Sequence, residues 1–246
     1  MNKILLFTLL SIFHHTNAQT TMKPINELIN NTDSAWPLIL DWAKSAKNKT
    51  EILPLDSTSD KNALFHTQVT TRAPIGAIIH HSGGILIDNG WIRILGSGNK
   101  KIKRSISQWN LEKSISKFGE NYPFLLIADD AIGGFFILNG GDLGPDLGKI
   151  YYLAPDTLEY EPLNIGYSDF INFCFNSNLD EFYGDLRWNN WEKDIQLLTP
   201  DQIIQFYPFL WSTEGKTIEK SSRKNISIEE HYKLTIDLIQ QFQNKS

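Results

Sequence analysis

Two adjacent carboxylates, Asp129 and Asp130, close an apolar run (residues 124–128) and precede the turn Ala131-Ile132-Gly133-Gly134. Neighbouring like charges drive their pKa values apart, so such a pair could serve as general acid and base or offer oxygens to a metal. The competing reading is turn chemistry, in which the carboxylates accept backbone N–H groups. Adjacent strand residues point to opposite faces and rarely converge on one substrate, which favours the turn. His80-His81-Ser82 is the other group able to do chemistry, as imidazole catalysts or metal ligands. Zinc needs a full set of ligands at recognisable spacing, and past residue 18 only His66, His80, His81 and His231 remain, with Cys174 distant. Ser82 lies in no G-x-S-x-G elbow, so a hydrolase triad is not supported.

Trp91 and Arg93 alternate along one run and should share a strand face. Together they would form a stacking platform with a forked donor, a pairing common in binding hot spots, or else Trp91 lies in the core under the Arg93 stem. Asp142 and Asp146 sit in the Gly-rich loop 139–146, which lacks the terminal Glu of a calcium loop. Residues 96–101 (GSGNKK) lack P-loop spacing and read as a solvated turn. Cys174 lies between Phe173 and Phe175 with no basic neighbour and reads as core. None of these patterns implies a metal or a cofactor.

The elements that would position these groups come from periodicity. Residues 124–128, 135–138 and 150–154 are apolar runs separated by Gly, Asp, Asn and Pro, the pattern of a β-meander. Runs at 75–80, 84–88 and 91–95 read as further strands, with Asn89-Gly90 as a two-residue type I′ hairpin between the last two. Helices are expected at 35–47, at 111–118, from Ser168 as N-cap, and along Trp188, Trp191, Ile195 and Leu198, an aromatic stripe spaced i, i+3, i+7 and i+10. Thr199-Pro200-Asp201-Gln202 reads as a capping box opening a helix, and Ser227 with Glu230 as another. Residues 47–63 and 212–225 are polar and read as loops, and 64–70 as a short strand or helix. Helices at both ends and strands between them make one α+β domain over residues 19–246, a central, mostly antiparallel sheet with helices packed on it.

Residues 1–18 are set apart. Lys3, the apolar run 4–13, and Thr16 and Ala18 before Gln19 spell a secretory signal peptide cleaved near Ala18-Gln19. The expected product is exported, periplasmic or secreted. No later stretch approaches the ~20 apolar residues that cross a bilayer, so the mature protein has no membrane span. The formal net charge is −5, which disfavours nucleic acid as a partner. A single cysteine leaves no intrachain disulfide, so stability must come from the core.

The blocks VTTRAPIGAI, GGILIDNGWIRILGSG, FLLIADDAIGGFFILNGG, YYLAPDTLEYEPLNIGYSDFI and YPFLW resemble, in order, the bacterial domain of unknown function 2625 family over about residues 25–240. More distantly, ADDAIGGFFILN, then G-x-IYYL, then an aromatic helix near 167–173 is similar to the SUKH superfamily. That likeness implies an α+β fold and a binding role, as in immunity proteins against bacterial toxins and regulators of wall-glucan synthesis. Two functions stand from this reading. One is a non-enzymatic binding module of the cell envelope, its partner a protein or a glycan. The other is an envelope hydrolase using Asp129 or Asp130 with a nearby His.

Overall fold

A computed structural model describes residues 21–244; the leader expected at 1–18 lies outside them. The meander is longer than the apolar runs suggest. Seven antiparallel strands lie in chain order: β1 (Thr50–Leu53), β2 (Gly84–Ile87), β3 (Ile92–Leu95), β4 (Phe124–Asp130), β5 (Phe135–Asn139), β6 (Ile150–Leu153) and β7 (Tyr160–Pro162). β8 (Gln202–Tyr207) and β9 (Ser222–Ser227) form a separate ribbon. With α1 (Ile25–Leu28), α2 (Trp36–Lys44), α3 (Ala63–Thr67), α4 (Pro74–His81), α5 (Ile106–Asn110), α6 (Tyr167–Asn176), α7 (Leu179–Tyr183), α8 (Trp191–Gln196) and α9 (Ile228–Gln243), the class is α+β.

Register shows why the sheet is buried on both sides. Ile85, Ile94, Ala128, Phe136 and Tyr152 lie in line across β2 to β6. This face meets α6, whose Phe170 ring sits 4.9 Å from Phe136, and α6 packs in turn on α2 and α4. Arg93, Asp129, Phe135 and Leu153 line the other face. There Tyr232 of α9 meets Phe135 edge-on at 5.2 Å, and Trp109 of α5 packs on Tyr232. The ribbon joins at the β4–β5 turn, where Ile204 donates its N–H to the Ala131 carbonyl at 2.8 Å. Strands covered twice read as continuous apolar runs, which hides their alternation.

Several expectations are corrected here. Residues 75–80 are helix α4, with Pro74 in its first turn and Ile75, Ile78 and Ile79 all buried. An apolar run buried all round looks alike as strand or helix, and Gly76 decides it by packing where a Cβ would stand 2.1 Å from the Thr70 carbonyl oxygen. The helix expected at 111–118 is absent. Ser105 instead accepts from Gln108 N and caps α5 one segment earlier. The box at Thr199 does form, its N–H and hydroxyl both 3.2 Å from Gln202 Oε1, yet Gln202 opens strand β8. Its partner β9 begins within the stretch read as a loop, and β1 lies within the other, so long-range pairing overrode local signals. Gly166, not Ser168, occupies the cap of α6, and Trp188 precedes α8.

The strand pair around Asn89-Gly90 is present, but the last rung is Ile87 to Ile92, leaving Asp88–Trp91 as a four-residue link. Asp88, Asn89 and Gly90 all hold positive φ (46°, 61° and 96°), and Trp91 is helical at φ −59°. Trp91 therefore falls out of the alternation that Arg93 obeys. The capping box at Ser227 is as expected, its side chain accepting from Glu230 N.

Candidate functional site

The two faces of the sheet separate the adjacent aspartates. Asp129 Oδ1 accepts from Arg93 Nη1 at 3.2 Å, and Oδ2 from Arg104 Nη1 at 2.5 Å. Arg104 Nε also donates to Asp201 Oδ1 at 3.0 Å, and Arg93 Nη2 to the Gln202 carbonyl at 2.7 Å. This network ties the sheet to the start of the ribbon. Burial pulls the Arg93 pKa down against the attraction of Asp129, whereas for Arg104 burial is outweighed by Asp129 and Asp201 and the pKa rises.

Asp130 points the other way. Its Oδ2 accepts from the hydroxyls of Tyr152 (2.7 Å) and Tyr183 (3.1 Å), and its Oδ1 from the N–H groups of Ile132 (3.1 Å) and Gly134 (2.8 Å). The Oδ1 bonds are the Asx-type turn contacts that the sequence favours. Burial pushes the Asp130 carboxyl up, against its hydrogen bonds. Both aspartates are 0% exposed. Their oxygens are taken and water does not reach them.

The histidines named with them lie elsewhere. His80 and His81 end α4; His81 stacks on Trp36 with centroids 5.0 Å apart, and no hydrogen bond or ion pair among the described residues joins either to Asp129 or Asp130. Burial lowers both their pKa values, His81 also through the charge of His80. The histidine close to the turn is His231 on α9, with Nε2 3.0 Å from the Gly133 carbonyl oxygen and Nδ1 3.2 Å from Gln205 Oε1. Desolvation depresses its pKa to about 4. Its place beside Ile228 and Tyr232 on the buried stripe of α9 was a sequence signal for a core histidine. The crevice it lines with Phe209 and Trp211 holds about 20 Å³, room for a single water.

Trp91 and Arg93 do not form a platform. They are 0% and 1% exposed and serve different faces. Trp91 packs edge-on against Tyr183 and Trp191 and lies under Arg187, whose guanidinium carbon is 4.8 Å from its ring centre. The loop 96–101 is solvated only at Lys100 and Lys101: Ser97 donates to the Ile79 carbonyl and Asn99 to that of Pro54, both buried. Asp146 is held by Tyr151 and Asn139, while Asp142 gives its N–H to the Pro123 carbonyl. Among the described residues no group of His, Cys, Asp and Glu is arranged to hold a metal ion. Cys174 is buried.

One cleft open to solvent lies beside the tyrosines that bond Asp130. It holds about 400 Å³ and runs between the β6–β7 hairpin (Tyr152, Ala154, Asp156, Glu161), the end of α7 with the turn after it (Phe182 to Leu186), and the segment Leu210 to Ile218. The hydroxyls of Tyr152 and Tyr183 bond Asp130, and both residues back the cleft at 4% and 3% exposure, with half-buried Phe182 and Leu186 also in its wall. Among the described residues three carboxylates, Asp156, Glu161 and Asp185, line it against one ammonium, Lys216. No sequence motif marks it, because its walls come from three segments far apart in the chain.

Comparison with known proteins adds the family. A profile described as "Protein of unknown function DUF2625" matches residues 25–231. The chain belongs to this family. Within it, the putative uncharacterized protein YbfG of Escherichia coli (strain K12) is 43% identical over 223 residues, covering 90% of this chain and 99% of that protein. An uncharacterized protein of Haemophilus influenzae (strain ATCC 51907 / DSM 11121 / KW20 / Rd) is 40% identical over 211 residues, 86% of this chain and 92% of the relative. No solved structure matches.

Proposed function

We propose that this DUF2625 protein is an exported, non-enzymatic binding module of the cell envelope, and that the cleft beside Tyr152 and Tyr183 holds its partner. The observation that carries the reading is the contrast between the two places where acidic groups gather. Asp129 and Asp130 are sealed and fully bonded, as structural groups are, whereas Asp156, Glu161 and Asp185 border an open cleft of about 400 Å³, within the size range of small-ligand sites. No histidine among the described residues lines that cleft, so the acid–imidazole pairing of a hydrolase has no support in it. Export rests on Lys3, the apolar run 4–13 and the small residues before Gln19. The distant SUKH likeness favours binding over catalysis.

The test is retention from envelope extract by immobilised mature protein, wild type against a charge-reversed cleft, Asp156→Arg with Asp185→Arg. Loss of a specific partner, glycan or protein, in the cleft variant and not in a control reversed at exposed Glu27 supports the reading. Equal retention by all three proteins overturns it.

A further inference from the structure

Resting on the cleft as the binding site, we infer that its ligand is an amino sugar, recognised by its ammonium group and by one flat C–H face. Among the described residues no ion pair neutralises Asp156, Glu161 or Asp185; Glu161 only accepts from Thr157 Oγ1 at 3.2 Å. Three free carboxylates facing one lysine repel anions and favour a cation. An ammonium–carboxylate hydrogen bond is roughly twice as strong as a neutral one.

The apolar part of the wall decides between a ring and a linear amine. Phe182 is half-buried, wedged edge-on against Tyr183 at 4.9 Å and Tyr152 at 5.4 Å, which fixes its ring as a shelf. Half-buried Leu186 adds to that apolar surface, and Leu210 and Ile218, each 6% exposed, line the cleft as well. The two tyrosine hydroxyls are committed to Asp130, so neither is free to bond a ligand. A pyranose ring covers such a shelf with its C–H face while its amine and hydroxyls reach the carboxylates around it. A linear amine leaves the shelf wet.

Calorimetric titration of the mature protein with glucosamine tetrasaccharide, its fully N-acetylated counterpart and 1,5-diaminopentane separates these features. The free-amine sugar should bind at least about tenfold tighter than either of the others, as one lost charge-assisted contact requires. Asp156→Asn with Asp185→Asn should weaken it about tenfold or more with the Tm unchanged, and added salt should weaken it further. Equal binding of the two sugars would show that the ammonium is not read, and tighter binding of the diamine that the ring is not; either overturns the inference. If no probe binds while the charge-reversed cleft still loses its envelope partner, the ligand class is wrong and the cleft remains the site. If no probe binds and retention is also unchanged, both readings fall.

Discussion

Arg93 and Asp129 stand directly opposite each other on β3 and β4, bonded at 3.2 Å and 1% and 0% exposed. Removing the arginine leaves Asp129 with Arg104 alone and opens a void beside the ribbon. Arg93→Ala should therefore cost about 3–5 kcal/mol, the usual penalty for breaking a buried pair. Urea unfolding measures it. A Tm shift under about 2 °C would return Arg93 to the surface role that its type and strand position suggested.

The aromatic stripe divides unequally. Trp188 is buried, donates Nε1–H to Asp194 at 2.7 Å and meets Phe206 edge-on, so Trp188→Ala should cost about 3–5 kcal/mol. Trp191 is half-buried and holds chiefly Arg187, 4.2 Å above its ring, and Trp91. Its truncation should cost less, about 1–3 kcal/mol. Parallel melts of the two variants check the order; the reverse order would refute it.

His231 should make the fold acid-sensitive. Its folded pKa, about 4, lies below the ordinary 6.5, so the folded state prefers the neutral ring. The stability this contributes is complete above pH 6.5 and is lost as the pH falls toward 4, up to about 3 kcal/mol. Asp130, with its pKa raised by burial, acts in the opposite sense, its contribution falling as the pH rises above the ordinary carboxylate range. Comparing unfolding at pH 7 and pH 5 in wild type and His231→Gln isolates the effect. An unaltered slope in the variant would assign it to other groups, such as His80 and His81.

Gly133 lies under His231. It holds φ +93°, and a Cβ there would stand 2.1 Å from His231 Nε2. Gly133→Ala should destabilise strongly, and by less in a His231→Ala background, because only the clash is relieved and the backbone strain persists. Strict additivity of the two substitutions would show that the turn and the ring are not coupled.

Export predicts Gln19 as the N-terminal residue of protein recovered from an expressing cell. Intact-mass measurement reads it directly. A chain that retains Met1 in the cytosol would end the envelope reading.

By itself the sequence determined what short-range chemistry controls. The meander of β4 to β6 was legible because Gly, Asp and Pro punctuate it, and α9 because Ser227 and Glu230 close a box within one turn of chain. The burial of Cys174 followed from its aromatic neighbours. Tertiary structure decided the rest, where partners distant in the chain compete with local preference. β8 is a strand because β9 pairs with it, although Thr199 to Gln202 carries a helix signal that even forms its hydrogen bonds. α4 is a helix because Gly76 must approach the backbone of Thr70, a constraint no periodicity displays. Trp91 left the face of Arg93 because three successive positive-φ residues rotate the chain ahead of it. The cleft was the least legible feature. Its carboxylates come from the β6–β7 hairpin and from the turn after α7, and only the packing of those two and the segment after Leu210 brings them to one place.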